Sequence, residues 1–335
     1  MNAIASSRST VIDFHAHILV PEVYRETAPH SLFTLPPEGP GITEELRRKG
    51  AARAEMVCGQ MADVTDRLAK MDAMGVDVQV LTASLVQQRT DWADADTSRR
   101  LERLVNDRMA AIVRAEPKRF VGFGGVPLHV PALAVAELER LMSLGLKGVG
   151  ISTMAGSMEI GDARLHPFWA KAEELNAIVY IHPAGNLDPR FRRNFLWNSI
   201  GQNFEEAMAI ASLIYEGVLE KYPALKIVIS HGGGYMPFNA GSIDRNYLEK
   251  PSTRTHMSKP PIDYMRMIYY DTCVYDDLLL QRLVEKVGAD RVVLGSDYPV
   301  GDPKPVAFVQ DCQALSDDDK AKIVSGNAKG LLGLA

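Results

Sequence analysis

Eight short apolar runs rich in β-branched residues, separated by longer stretches of helical period, constrain this chain more than any other feature. That alternation is the signature of parallel strands joined by crossover helices. The runs are Val11–Ile18, Val78–Ser84, Phe120–Leu128, Leu146–Ser152, Ile178–Pro183, Lys226–His231, Ile268–Val274 and Val292–Tyr298. Most are apolar on both faces, as expected of strands covered by a barrel interior on one side and helices on the other. The expected fold is therefore α/β, a (β/α)₈ barrel. Length alone suggests ~2 domains, but such barrels run to ~250 residues or more as one unit. Residues 1–335 are accordingly read as a single barrel domain with insertions.

Helices are expected over Val64–Met74, Ser98–Ala115, Ala132–Leu144, Pro167–Asn176, Phe204–Tyr222, Asp276–Val287 and Asp317–Leu332. Asp162 and Ser316 suit helix N-termini, and Gly75 and Gly145 suit left-handed caps just before a strand. Two stretches break the alternation, about 21–61, rich in Pro, Gly and charge, and 185–202, which carries Arg190, Arg192, Arg193 and Trp197. Each follows a strand at the end where barrel enzymes place their chemistry, so both read as insertions over an active site, with surface decoration as the alternative.

A formal net charge of -5 argues against an electrostatic nucleic-acid surface. No run of ~18 apolar residues exists to cross a bilayer, and the N-terminus lacks the apolar region of a leader. Cys58, Cys273 and Cys312 are odd in number and show no CxxC spacing, which fits a reducing cytoplasm better than a disulfide framework. The expectation is a cytoplasmic protein acting on small molecules, with no nucleic-acid or membrane partner.

The ends of the strands carry the chemistry. His15 and His17 close the first run at spacing two, which in an extended chain puts both imidazoles on one face. Alone this pair could equally be packed or solvated. His182 ends the fifth run, His231 the sixth and Asp297 the eighth, each following apolar residues. Buried imidazoles and carboxylates need partners or cost several kcal/mol, and a shared cation supplies one to all of them. His30, His129, His166 and His256 fall in loops or at helix starts and are assigned to the surface. The run Gly232–Gly234 lacks the Lys-Ser/Thr of a phosphate loop and reads as a tight turn at the pocket floor.

His-x-His after the first strand, His-Pro after the fifth, Ser-His-Gly-Gly-Gly after the sixth and Gly-Ser-Asp-Tyr-Pro after the eighth together resemble the amidohydrolase superfamily. More narrowly they resemble its aminocarboxymuconate-semialdehyde decarboxylase-like branch. The stretches 68–77 and 207–223 extend the resemblance over nearly the whole chain. It implies a TIM barrel of the metal-dependent hydrolase type, with His15, His17, His182 and Asp297 binding one divalent metal, zinc first and manganese second. His₃Asp with open positions also suits zinc chemically. It further implies that His231 and Asp297 are catalytic. No lysine stands after the fourth strand, where Ile151-Ser-Thr-Met is found, so one metal is expected rather than two.

One departure stands out. In the decarboxylase that names the branch an arginine after the glycine run reaches a neighbouring subunit's site; here that spacing falls on Ser242, with Arg245 three residues on. Arg53, Arg245 and Trp197 are the expected substrate-binding residues, and a homodimer contacting through Ile243–Lys250 is expected by the same likeness. The reaction implied is decarboxylation of a small carboxylated aromatic or muconate-like substrate, the carbon that loses carboxylate taking up a proton. A lactonase-like hydrolase or a hydratase of aromatic catabolism is the alternative on the same residues. A non-catalytic barrel scaffold ranks last, since it would be expected to lack at least one of the five polar strand-end residues.

Overall fold

The computed structural model describes residues 9–36, 38–84, 87 and 89–334. Residues 1–8, from which the lack of a leader was partly read, lie outside the described residues, as does Pro37 within the first insertion. Eight parallel strands, β1 Ile12–Ile18, β2 Val78–Ala83, β3 Phe120–Gly124, β4 Gly148–Ile151, β5 Ile178–Ile181, β6 Lys226–Ile229, β7 Tyr269–Asp271 and β8 Val292–Val293, pair in sequence order. A parallel bridge Ala16–Tyr298 and the bond from Phe14 N to Leu294 O (2.7 Å) join the last strand to the first and close the barrel. The (β/α)₈ fold is as expected.

Strand side chains alternate between two cores, as a period of two requires. Tyr180, Ile178, Val80, Phe123 and Val228 fill the barrel interior, whose N-terminal end is plugged by Ala328, Leu331 and Leu332 of the helix Asn327–Leu332. Val179, Ile181, Leu81, Val149 and Ile229 point outward into the layer shared with the helices. β1 departs from strict alternation. Its register against β2 slips between Asp13 and Ala16, so the strand carries a bulge there. Below the bulge Ile12 and Phe14 face inward and Asp13 outward; above it His15 and His17 take the inward face. One inserted residue thus aims both imidazoles at the barrel axis, the use bulges have at sites.

The helices differ from expectation in three places. Within 21–61 the chain is largely helical, with Pro21–Thr27 and the long helix Glu44–Ala62, capped by Thr43 accepting from Leu46 N (3.3 Å). Glu, Arg and Ala favour helix there, but only Val57, Cys58 and Met61 of the long helix are buried, so its sequence shows little apolar periodicity. The segment 204–222 is broken at Gly217, whose φ is +77°, into Gly201–Tyr215 and Val218–Lys221. A Cβ at Gly217 would lie 2.8 Å from the His256 carbonyl oxygen, which leaves only glycine for this turn. Third, β8 stops at Val293 rather than Tyr298. Gly295 lets the chain pass close to Asp271, Cys273 and His15, each 3.0 Å from where its Cβ would be. No helix among the described residues is long and apolar enough to cross a membrane.

Candidate metal centre

His15 and His17 project from β1, His182 follows β5, His231 follows β6 and Asp297 lies in the turn after β8. All five converge at the C-terminal mouth of the barrel. His15, His17, His182 and Asp297 each bring one ligand atom to within 4.8 Å of the other three, and all four residues are buried. The imidazole edges meet at steep angles, with ring centroids 4.6 Å apart for His17 and His182 and 5.1 Å for His15 and His182. Asp297 Oδ1 lies 3.1 Å from His17 Nε2 and 3.2 Å from His15 Nε2. His231 stands beside this group, its Nε2 3.7 Å from Asp297 Oδ2.

The donor set fits a divalent cation. Both ring nitrogens of His182 and Nδ1 of His17 are buried with no hydrogen-bond partner, an arrangement that is costly unless an ion or another ligand satisfies them. Burial, reinforced by the neighbouring His17 and His15, holds His182 well below the usual imidazole pKa, leaving it neutral as a ligand must be. Burial alone would raise Asp297, but the surrounding His15, His17 and His231 overcome it and keep the carboxylate well below its ordinary value. His15 Nδ1 faces Asp271 Oδ2 at 2.6 Å. Burial opposes charge on this ring, yet Asp297 and Asp271 lift its pKa to about 9. The Asp271 contact fixes the ring so that Nε2 points to the centre, the arrangement by which outer carboxylates orient metal-binding histidines. Asp271 is itself held by Tyr180 Oη (3.2 Å), Gly232 N (3.2 Å) and Cys273 N (3.0 Å).

His231 is oriented from behind. Glu206, fully buried on the helix Gly201–Tyr215, sits 2.6 Å from His231 Nδ1 and also accepts from Ser230 Oγ. Burial works against a charged ring, but Glu206 and Asp297 raise the His231 pKa well above its usual value. Nδ1 donates to Glu206, and Nε2 carries its proton towards the mouth. The backbone is strained at the same points: His231 has φ +47° and Asp297 φ +54°. Left-handed non-glycine residues of this kind concentrate at functional sites.

The expected substrate residues are placed differently. Trp197 is buried and packs over Gly185, with Cε3 2.7 Å from where a Cβ would stand. Arg53 is exposed on the helix Glu44–Ala62. Arg245 is exposed on the helix Ala240–Glu249 and pairs with Glu249 at 3.0 Å. Neither arginine is part of the buried cluster. Of the four histidines assigned to the surface, His30 and His256 are exposed, while His129 and His166 are half-buried. Tyr222 covers His166, its hydroxyl 3.3 Å from Nδ1. The three cysteines are free and buried. Asp271 and Glu206 went unnoticed in the sequence. Asp271 ends an apolar strand in the same manner as the other ligand candidates, so that rule finds it; Glu206 lies one turn from Gln202 and Ile210 on a buried helix face, a weaker sign.

Residues 12–334 match the amidohydrolase family. The chain is 29% identical over 349 residues to the 2-amino-3-carboxymuconate-6-semialdehyde decarboxylase of Dictyostelium discoideum, covering 98% of this chain and 92% of that protein. Among solved structures it resembles the 5-carboxyvanillate decarboxylase LigW of Sphingomonas paucimobilis, with a TM-score of 0.85 at 28% identity over 97% of this chain and 99% of the other. A dihydroxybenzoic acid decarboxylase from Polaromonas sp. JS666, solved with bound manganese and 2-nitroresorcinol, gives 0.82 at 25% identity, covering 97% of each chain. With the family matched from the first strand to the last helix, and a His₃Asp site for one divalent metal at the barrel mouth, the chain belongs to the amidohydrolase family, on its decarboxylase branch.

Proposed function

We propose that the protein is a metal-dependent carboxy-lyase acting on a small carboxylated aromatic or muconate-like substrate. The carrying observation is the convergence of three imidazoles and one carboxylate, with unpartnered ring nitrogens at the centre and His231 alongside. His15, His17, His182 and Asp297 would hold the ion, with zinc favoured by the donor set and manganese the second choice. The metal supplies positive charge that draws in the anionic oxygens of the substrate and stabilises charge developing as the bond breaks.

Decarboxylation leaves the electron pair of the broken C–C bond on the substrate carbon, which must then receive a proton. His231 is placed to deliver it. Its Nδ1 is committed to Glu206, so the donor is Nε2, facing the mouth. Asp297, held as an anion, keeps that proton on the ring and serves the ligand set with its other oxygen. Glu206 balances the charge of the imidazolium from a position no substrate reaches. Trp197 would wall the pocket by packing beneath the 185–202 insertion, and Arg53 would hold a substrate anion if the first insertion closes over the mouth. Arg245 would act on a neighbouring subunit of a homodimer, since it lies exposed on its helix beside Leu248, a large apolar residue that is itself 70% exposed. Residues 1–335 would then form one domain with insertions about 21–61 and 185–202 over the site, working in the cytoplasm, where three buried thiols stay reduced.

The test is product analysis with metal-loaded protein on dihydroxybenzoate, 5-carboxyvanillate and aminocarboxymuconate semialdehyde. Release of carbon dioxide from at least one is expected. Uptake of solvent oxygen with no carbon lost would overturn the proposal in favour of hydration or hydrolysis.

A further inference from the structure

The two oxygens of Asp297 have different surroundings. Oδ1 faces His15 and His17, whereas Oδ2 faces His231 Nε2 at 3.7 Å and accepts from Tyr275 Oη at 3.2 Å. Tyr275 has no part in the chemistry described so far, and three independent features surround that contact. Its backbone is left-handed, at φ +55°, a conformation uncommon for an aromatic residue and costly unless the structure imposes it. The segment on either side is pinned, by Val274 N bonding Thr272 O at 2.7 Å and by Asp276 capping the helix Asp277–Val287. Opposite the hydroxyl lies Gly301, where a Cβ would stand 2.8 Å from Tyr275 Oη and 2.6 Å from Asp297 Cβ. Strain, a fixed turn and a notch in the facing backbone all serve to seat one hydroxyl on one carboxylate oxygen.

The location is equally telling. Tyr275 is 55% exposed as a residue, yet its hydroxyl reaches the buried Asp297. Burial of that end, with Cys273 and Asp297 nearby, pushes the phenol pKa upward and keeps the proton that makes it a donor.

We propose that Tyr275 is a positioning residue for the metal centre, its hydroxyl holding Oδ2 of Asp297 so that only Oδ1 is presented beside the histidines. The inference rests on Asp297 being a metal ligand. A carboxylate free to rotate presents either oxygen or both; one tethered by a hydrogen bond presents a single oxygen, as donors behind a ligand commonly arrange.

The probe is Co²⁺ bound to purified wild-type, Tyr275→Phe and His182→Ala proteins, followed by its visible absorption and by chelator competition. Tyr275→Phe keeps the ring and removes only the hydroxyl. It is expected to bind Co²⁺ about tenfold more weakly, the lower end of the range for losing such a donor, with a shifted absorption band, while the metal-free form melts as the wild type does. An unchanged band, or an affinity within twofold of wild type, overturns the proposal. Failure of the underlying reading looks different: Co²⁺ would bind wild type and His182→Ala alike, or neither.

Discussion

Asp13 and His15 are two residues apart on one strand and both are completely buried, but the chain treats them in opposite ways. Asp13, on the outer face, receives Gln79 Nε2 (2.8 Å), Ser296 Oγ (2.6 Å), Ser296 N (2.9 Å) and His15 N (3.1 Å). Behind Gln79 stands Arg67, also fully buried, which bonds Gln79 Oε1 (2.9 Å), Met61 O (3.1 Å) and His17 O and lies over the Tyr298 ring. Nearly every polar atom there has a protein partner, Arg67 Nε being an exception. On the inner face, two residues along, the imidazoles of His17 and His182 keep nitrogens with none. A satisfied network is structural material. An unsatisfied one at the same depth is a site prepared for something the chain does not itself supply.

The comparison breaks most decisively at His182. Replacing it with alanine should remove metal and activity together, by at least ~100-fold, since even outer partners of such ligands cost 10–100-fold. Stability should move the other way: the metal-free variant should unfold no more easily than metal-free wild type, because an unpaired buried donor and acceptor, costing ~1–3 kcal/mol each, has been removed. Metal analysis with paired melting curves checks both halves, and a large loss of stability in the apo variant would show that the imidazole was satisfied after all.

Arg67→Met carries the opposite expectation. The apolar stem is retained, but Gln79 and the His17 and Met61 carbonyls lose their donor, for a cost of about 3 kcal/mol at ~1–3 kcal/mol per stranded group. Metal content should persist, because no ligand candidate is touched. Denaturant midpoints measured beside metal stoichiometry separate the two outcomes.

These networks also mark what could be read beforehand. A polar residue at the end of an apolar run is a local pattern, so His15, His17, His182, His231 and Asp297 were visible, and so was the alternation that builds the barrel. The β1 bulge was not, because it inserts a residue without changing composition, and it decides which face each histidine takes. Arg67 was hidden for a different reason. On a helix containing Asp66 and Lys70 an arginine reads as solvated surface, and only the tertiary placement of Gln79 and two carbonyls opposite it makes burial tolerable. Tyr275 and Glu206 likewise depend on neighbours brought from other strands. The helix Glu44–Ala62 was missed because its apolar face is only three residues deep.

Glu102 supplies a third way to settle a buried polar group. It is 2% exposed on the helix Ala95–Ala115, accepts from Thr90 Oγ1 at 3.0 Å, and has no cation beside it. Around it Ser98 bonds Thr90 (2.5 Å), Asn106 bonds Gly125 and Glu137, and Glu137 carries the charge nearest to it, paired with Arg140 and Arg103. Burial, with Glu137 adding to it and Thr90 opposing, pushes the Glu102 carboxyl up to about 8. Neither partner nor ion satisfies this group; a proton does. A folded-state pKa above the unfolded one means that the native chain holds the proton longer, so stability present at pH 5 is progressively lost as pH rises through 8. Glu102→Gln imitates the protonated form and escapes that loss. Its melting temperature should match wild type near pH 5 and exceed it near pH 8 by roughly 2–4 °C, the shift that ~1 kcal/mol gives in a chain of this order of size. An offset of the same size at both pH values would mean that Glu102 does not titrate in this range, and that its burial is settled by hydrogen bonds in the manner of Asp13.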